Sequence, residues 1–367
     1  MKKIIRILVF LGFVLLNVNC EPNAKSNDQK IKPDDQNIKS NPQKGYHIIF
    51  GNEGENGIPI LNNPEQIEIE KEVIEKRLKS YGFSSESFNI KIEKGTDIKD
   101  YKIVLKVETN DSLKQITSLV RTVGKLEFRE TWNFNEAFPY LVKLDSVLKE
   151  KKYNSDNTLE KNSDGKYDLQ EVNRLHPLFA ILMISNPNTT AERGSSMLEP
   201  KIGVSHLDDT AKVNSFLSSS EANSLLPSGM KFKWTNNASL NKNNSYCELI
   251  AIKELLGQKA PLGSDQIAVN NKFNASLSFR KNEEAKIEIN MNKEATETWA
   301  KLTKDNRARY IVIIIDDHVY IYAEVIGEIP DGKCFIPQDN LTENRLKVLA
   351  AVINGGELHL PIISIKE

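Results

Sequence analysis

The sequence predicts an α+β protein whose first part is a ferredoxin-like split βαβ unit. Three observations predict it. Between Tyr46 and Thr131, strand-like and helical segments alternate in the order β-α-β-β-α-β. Tyr310–Ile315 is an almost uninterrupted β-branched run, too short to span a bilayer and suited to a buried strand. Asp316-Asp317 then turns the chain into His318–Val325, so the two strands read as a hairpin.

Residues 1–20, MKKIIRILVFLGFVLLNVNC, begin with Lys2, Lys3 and Arg6, continue as an apolar run and end on Cys20. This is a secretory signal, and its ending resembles a bacterial lipoprotein signal in which Cys20 is lipidated and becomes the mature N-terminus. Asn17 and Asn19 depart from the small or aliphatic residues usual there, and an uncleaved signal anchor is the alternative. Either way the body is exported and membrane-anchored. Residues 21–45 are polar and rich in Asn, Lys, Asp and Pro, too poor in apolar side chains to offset ordering, and are expected to be a flexible tether.

Tyr46–Phe50 reads as a strand. Pro64 opens a helix whose Ile67, Ile74, Leu78 and Tyr81 share a face and which stops at Gly82. Phe88–Ile92 and Tyr101–Val107 alternate as strands. A second helix is expected to be capped by Asp111, with Leu113, Ile116, Val120 and Val123 inward and Gly124 as stop. Lys125–Thr131 completes the unit as a further strand.

Residues 132–285 are less regular. They offer helices near Ala137–Lys149 and Leu169–Met183, a polar run at Lys151–Lys166, and strand-like LLPSGMKFKW and YCELIAIK. Residues 286–356 are more regular: a strand-like IEI, a helix marked by Ala295, Trp299 and Leu302, the hairpin, a Gly332 turn and a helix Glu343–Ile353 stopped at Gly355-Gly356. Residues 357–367 form a short closing segment.

Net charge is −1, so nothing electrostatic points to nucleic acid. Beyond the first residues no run of about 20 apolar side chains remains to cross a bilayer. Cys247 and Cys334 can pair in an oxidising envelope or stay free. There is no G-x-S-x-G turn, and His47, His176, His206, His318 and His359 are scattered without a partner pattern. His206-Leu207-Asp208-Asp209 reads as a helix start with an Asp capping Thr210–Leu217, not as a metal site. Asp316-Asp317 reads as a turn, not as an acid/base pair.

Glu160, Asn162, Asp164, Gly165, Asp168 and Glu171 fall at calcium-loop spacing, but the first ligand is Glu, Tyr167 replaces the usual aliphatic, and a solvated loop is the better reading. Gly51, Gly54 and Gly57 carry Glu53 and Glu55 among them, which would repel phosphate. The charged run Glu65–Lys79 reads as the wet face of an amphipathic helix, with Glu72–Lys76 and Glu75–Lys79 pairs. No catalytic, cofactor-binding or metal residue is predicted, no cofactor is expected, and the chain does not read as an enzyme.

A collinear set of residues identifies a family. Trp299, Leu302, Thr303, Asn306, Arg309, Asp316, Asp317, Val319, Tyr320, Gly332, Ile336, Leu349, Ala350, Gly356, Leu358 and Pro361 resemble, in order, the first periplasmic domain of the SecD and fused SecDF protein-export family, most closely the Bacteroidota type. KRLKSYGF and VGKLEFRE extend the likeness toward the N-terminus. His176-Pro177-Leu178-Phe179 and Leu226, Pro227, Phe232 and Trp234 carry it through the middle. The chain departs from the family at Ile321-Tyr322-Ala323, where small residues and a proline are common.

The resemblance implies a base at 46–131 to which 357–367 returns, and an inserted α+β head with an irregular part at 132–285 and a regular part at 286–356. It implies a non-enzymatic periplasmic domain that binds translocating or unfolded polypeptide and assists protein export. An apolar cleft between base and head and open strand edges would do the holding. The family's membrane spans are expected after this domain and do not follow here, so no proton-driven motor is expected of the chain. Expected partners are exported or unfolded polypeptides, Sec translocase components, and the membrane through the N-terminal lipid. The alternative is a structural or regulatory lipoprotein that docks on another envelope protein such as SecDF.

Overall fold

A computed structural model describes residues 44–54, 57–152, 175–184, 198–236, 245–254, 257–264, 272–278, 285–337 and 341–367. In chain order the elements are β1 (Lys44–Gly51), α1 (Pro64–Tyr81), β2 (Phe88–Glu93), β3 (Lys102–Thr109), α2 (Leu113–Arg121), β4 (Leu126–Glu130) and α3 (Phe134–Lys152). There follow β5 (Met183–Ile184), β6 (Lys201–His206), α4 (Thr210–Leu217), α5 (Ser220–Leu225), β7 (Met230–Trp234), β8 (Tyr246–Lys253), β9 (Leu262–Gly263) and β10 (Phe273–Ser278). The chain continues with β11 (Lys286–Met291), α6 (Lys293–Asp305), β12 (Tyr310–Ile315), β13 (His318–Glu324), β14 (Lys333–Pro337), α7 (Glu343–Gly355) and β15 (Ile362–Lys366). The α+β class stands. The signal with Cys20, nearly all of the predicted tether and the calcium-spaced residues lie outside the described residues.

The first sheet has the order β15-β1-β3-β2, and every adjacent pair is antiparallel. We call it, with α1 and α2, the terminal lobe, because both ends of the described chain meet there. Its core places Ile48, Phe50, Ile103 and Leu105 against Ile67, Ile74, Leu78, Ile116 and Leu119. Helix α1 starts where Asn63 accepts the Glu65 N–H (2.8 Å) and ends at Gly82, φ 119, whose N–H reaches Leu78 and Lys79 carbonyls.

Two expectations change here. The cap of α2 is Ser112, in a reciprocal box with Gln115, while Asp111 accepts from Thr109 and Tyr81 hydroxyls. Helix α2 ends at Arg121, so Val123 lies 42% exposed instead of inward.

The larger correction concerns Lys125–Thr131. Strand β4 does not complete the terminal sheet; it pairs with β12 and β9 in the order β13-β12-β4-β9. Alternation fixes which side chains share a face and says nothing of which sheet receives the strand. The fourth position of the terminal sheet goes to β15, antiparallel to β1. The sheet β13-β12-β4-β9, the sheet β10-β11-β14 and α6 form the hairpin lobe, cored by Phe128, Phe273, Trp299, Ile311 and Ile313.

Strand β12 lies between β13 and β4 and is buried along its whole length, as its β-branched run requires. Asp316 and Asp317 both have positive φ, 49° and 65°, the geometry of a two-residue hairpin turn.

The outer lobe is the sheet β5-β6-β8-β7 with α3, α4 and α5. Of the helix expected near Leu169–Met183, Leu175 is helical and the chain then turns into β5, because Pro177 has no N–H to give and biases His176 away from helix. Asp209 stands before α4 without a side-chain hydrogen bond, so it does not cap as expected; His206 Nδ1 accepts the Asp208 N–H (3.3 Å) instead.

Helix α7 is shared. Ala351 and Val352 enter the terminal core while Leu346, Leu349, Ala350 and Ile353 enter the hairpin core. Gly355 lets α7 cross α1 closely: a Cβ there would sit 2.2 Å from Arg77 Cγ and 3.1 Å from Val73 O.

Candidate functional site

The site lies along the seam between the terminal and hairpin lobes, and α1 supplies its first members. Ile67, Glu70, Ile74, Arg77 and Tyr81 recur at intervals of three and four, on one helical face. Glu70 and Arg77 are therefore carried inward with the apolar residues and are fully buried, against the expectation that Glu65–Lys79 is a wet face. The Glu75–Lys79 pair forms (2.5 Å), as does Lys71–Glu68 (3.1 Å).

A buried guanidinium needs acceptors for its donors, and Arg77 finds them for both terminal nitrogens while its Nε stays buried without a partner. Arg77 donates to Leu119 O (3.1 Å), Thr122 O (2.5 Å) and Val123 O (2.6 Å), which follow from the open end of α2, and to Gly356 O (2.5 Å) just past α7. Burial lowers its pKa to about 10, opposed by Asp316, Glu70 and Glu357, so it stays charged at neutral pH.

Glu70 accepts the main-chain N–H of His359 (2.8 Å) and Leu360 (3.3 Å), and its other oxygen lies 2.8 Å from His359 Nδ1. His359 Nε2 lies 3.5 Å from Glu357. Hydrogen bonds to Glu357 and Glu70 push the imidazole pKa up to about 9 against the opposing effect of burial, so both ring nitrogens carry protons at neutral pH.

Glu357 also accepts Ser264 Oγ (2.7 Å), just beyond β9, and that hydroxyl receives the Leu126 N–H of β4 (2.9 Å). Asp316 completes the seam by accepting the N–H groups of Gly124 and Lys125 (2.8 Å each). Its place in the turn was legible in the sequence; its hold on the chain as it leaves α2 was not.

Beside the seam, α1, α7 and the strands β10 and β11 enclose a cleft of about 560 Å³. Its lining includes Lys76, Lys79, Ser80, Lys272, Phe273 and Asn274. Three lysines and several amides line it beside Phe273 and Met291.

The other singled-out residues take structural places. His176 Nδ1 lies 2.9 Å from buried Asp145, whose carboxylate also receives the Leu178 N–H (2.8 Å). His318 Nδ1 lies 2.8 Å from Asp316 O, and Asp317 pairs with Lys233 (2.7 Å). His47 lies on β1 with Nε2 buried. Gly54 donates to Ile58 O (2.8 Å), and Asn52 holds that excursion through Leu61 (2.8 and 2.9 Å) and Ile98 O (2.9 Å).

Cys247 and Cys334 are both free and buried in different sheets, with thiol pKa values pushed up by burial, Cys247 to about 11. Among the described residues no group of three His, Cys, Asp or Glu side chains is arranged to hold a metal ion, and no helix is long and apolar enough to cross a membrane. Glu70 and Glu357 meet opposite nitrogens of the His359 ring and do not converge on one point.

The departure at Tyr322 has a structural counterpart. Its hydroxyl donates to Glu248 of β8 (3.0 Å), and the ring packs against the cluster where the hairpin and outer lobes meet.

The SecDF P1 head subdomain profile matches residues 251–360, which contain α7 and all of the hairpin lobe except β4. The protein translocase subunit SecD of Rhodothermus marinus is 24% identical over 307 residues, covering 81% of this chain and 45% of that protein. SecD of Rickettsia felis is 26% identical over 113 residues, covering 31% of this chain and 21% of its own length. The chain thus spans less than half the length of these relatives. A crystal structure of SecDF in a super-membrane-facing form superposes with a TM-score of 0.46 at 13% identity, covering 88% of this chain and 30% of the other. The resemblance to the periplasmic domain of SecD and SecDF holds across most of the chain.

Proposed function

We propose that this chain is a protein-export domain of the cell envelope that holds translocating or unfolded polypeptide on the periplasmic side without acting as an enzyme. The observation that supports the reading is the SecDF P1 head match over residues 251–360. In this reading the terminal lobe is the base, closed by β15, and the hairpin and outer lobes form the head. The base begins at β1 and its contribution from the first part of the chain ends near Gly124, with β4 reassigned to the head. Cys20 carries a lipid that keeps the domain at a membrane, and the partners are exported chains together with components of the Sec translocase.

The test is suppression of aggregation of a reduced, unfolded client by the purified chain, paired with crosslinking in intact cells. Suppression together with capture of many unrelated exported chains is the expected result. Capture of one defined envelope protein without suppression would overturn it in favour of a docking role. Cys20→Ser is expected to release the protein from the membrane fraction and abolish fatty-acid labelling, and persistence of both would remove the lipid tether from the reading.

A further inference from the structure

The terminal sheet packs one face on α1 and α2, and its other face carries charge. Alternation along the strands places Ile48, Phe50 and Leu105 in the core and turns His47, Ile49, Val104 and Lys106 to the opposite side. The pairing registers set the neighbours there. Lys366, His47 and Lys106 stand side by side across β15, β1 and β3. In the next row Ile49 and Val104 face one another, with Lys91 of β2 beyond. Lys91, Lys102, Lys106 and Lys366 are all exposed, and among the described residues none of the four makes an ion pair or a side-chain hydrogen bond. Glu93, opposite Lys102, and Glu108, beyond Lys106, are the carboxylates that β2 and β3 place on the same face, so four cations there meet two anions.

The centre of this face is apolar. Val104 is buried there and Ile49 half-buried. Ile363, where the β1–β15 register shifts, lies over Gly51: a Cβ on Gly51 would come within 2.9 Å of its Cγ2. Ile363 is nevertheless 53% exposed. An apolar centre ringed by unpaired lysines matches the layering of an anionic bilayer surface, which offers phosphates to the lysines and an interfacial place to the isoleucine. This sheet is also where the N-terminal segment enters the fold, at Lys44. Residues 21–43 can span at most roughly 80 Å, so a chain held at Cys20 keeps this face within that distance of the membrane. Weak contacts with the bilayer then act at high effective concentration.

We infer that this face of the terminal sheet docks on a bilayer surface bearing anionic phospholipid, with Lys91, Lys106 and Lys366 meeting phosphates and Ile363 entering the headgroup layer. The inference rests on the membrane-held location proposed above and adds an orientation to it. The terminal lobe lies against the bilayer, and its helices, with the hairpin lobe beyond α7, point away from it. The attraction should fade with added salt, because the four lysines are exposed.

The experiment follows sedimentation of the full chain, carrying Cys20→Ser so that no acyl chain contributes. The vesicles are phosphatidylcholine alone, or phosphatidylcholine with part replaced by phosphatidylglycerol. Binding is expected to be about tenfold tighter to the anionic vesicles at low salt, with the advantage lost at high salt. Lys91→Gln combined with Lys106→Gln and Lys366→Gln should remove most of the preference. Lys114→Gln with Lys212→Gln and Lys301→Gln, which takes as many exposed lysines from α2, α4 and α6, should leave it in place. Residues 1–20 are the same in both variants, so the difference between them reads the sheet face, and thermal melting verifies that both fold. Equal binding to the two kinds of vesicle, or equal loss in both variants, would overturn the inference. Binding of polyglutamate in place of anionic vesicles, lost in the first variant, would overturn it in favour of an acidic protein partner. A vesicle preference found together with absent fatty-acid labelling of the unaltered chain would uphold the docking face and remove only the lipid anchor.

Discussion

The hairpin lobe meets its two neighbours in different ways. Toward the outer lobe the contact centres on an apolar cluster in which Val312, Ile314 and Val319 close on Ile250 and Ile252, while Tyr322–Glu248 and the ion pairs Lys233–Asp317 and Arg309–Glu136 lie around it. Toward the terminal lobe the contact includes buried charge: Arg77, Glu70, His359, Glu357 and Asp316, linked by hydrogen bonds into main-chain groups. Apolar burial is non-directional and depends little on pH or salt. A buried charged network demands geometry, fails sharply when one member is removed, and follows the protonation of its parts. The same lobe is thus fixed on one side by an apolar cluster with partly exposed ion pairs around it, and on the other by a buried charged network.

Removing Arg77 should separate the two junctions most strongly. Arg77→Met keeps the bulk, leaves Leu119, Thr122, Val123 and Gly356 carbonyls without their donor, and takes away one of the two cations near Glu70 and Glu357, His359 being the other. A loss of about 3–5 kcal/mol is expected by chemical denaturation. Ile314→Ala, at the apolar junction, should cost about 2–4 kcal/mol through lost burial and a residual cavity, with no change in pH dependence. If both variants shift the pH profile equally, the contrast between the junctions fails.

His359→Gln sharpens the comparison by its shape instead of its size. Folded His359 releases its proton near pH 9, whereas an unfolded histidine does so near 6.5. Its stabilisation is therefore complete below about pH 6.5 and lost as pH rises through about 9. Melting temperatures of the unaltered protein should fall across that interval, and those of His359→Gln should fall less. Tyr322→Phe is the smallest change: loss of one hydrogen bond to a carboxylate, about 1–2 kcal/mol, checked by thermal melting in a cycle with Glu248→Gln.

The parts legible in the sequence are those governed by local pattern. The β12–β13 hairpin follows from a β-branched run and two turn-forming aspartates, and α1 from Pro64, its apolar spacing and Gly82. Strand β4 was legible as a strand and not in its pairing, because an alternating pattern fits any sheet with one buried face. The seam was half legible. Glu70 and Arg77 sit at positions that continue the spacing of Ile67, Ile74 and Tyr81, and that coincidence is a signal that a charged pair is taken inward. Its partners, His359 and Glu357, lie almost 300 residues away in sequence, and only the folded chain brings them together. The basic cleft was not legible, since Lys76 and Lys272 meet only through the crossing of α1, α7 and β10.

Strand β15 supplies the edge position of the terminal sheet beside β1, yet roughly three hundred residues of chain separate the two. At ordinary ribosomal speeds the wait between their emergence lasts roughly fifteen seconds to a minute. Throughout that interval β1 presents an unsatisfied ladder of N–H and C=O groups to whatever is nearby. A nascent copy of this protein is therefore itself a sticky, incomplete sheet until β15 arrives and closes it against its neighbours.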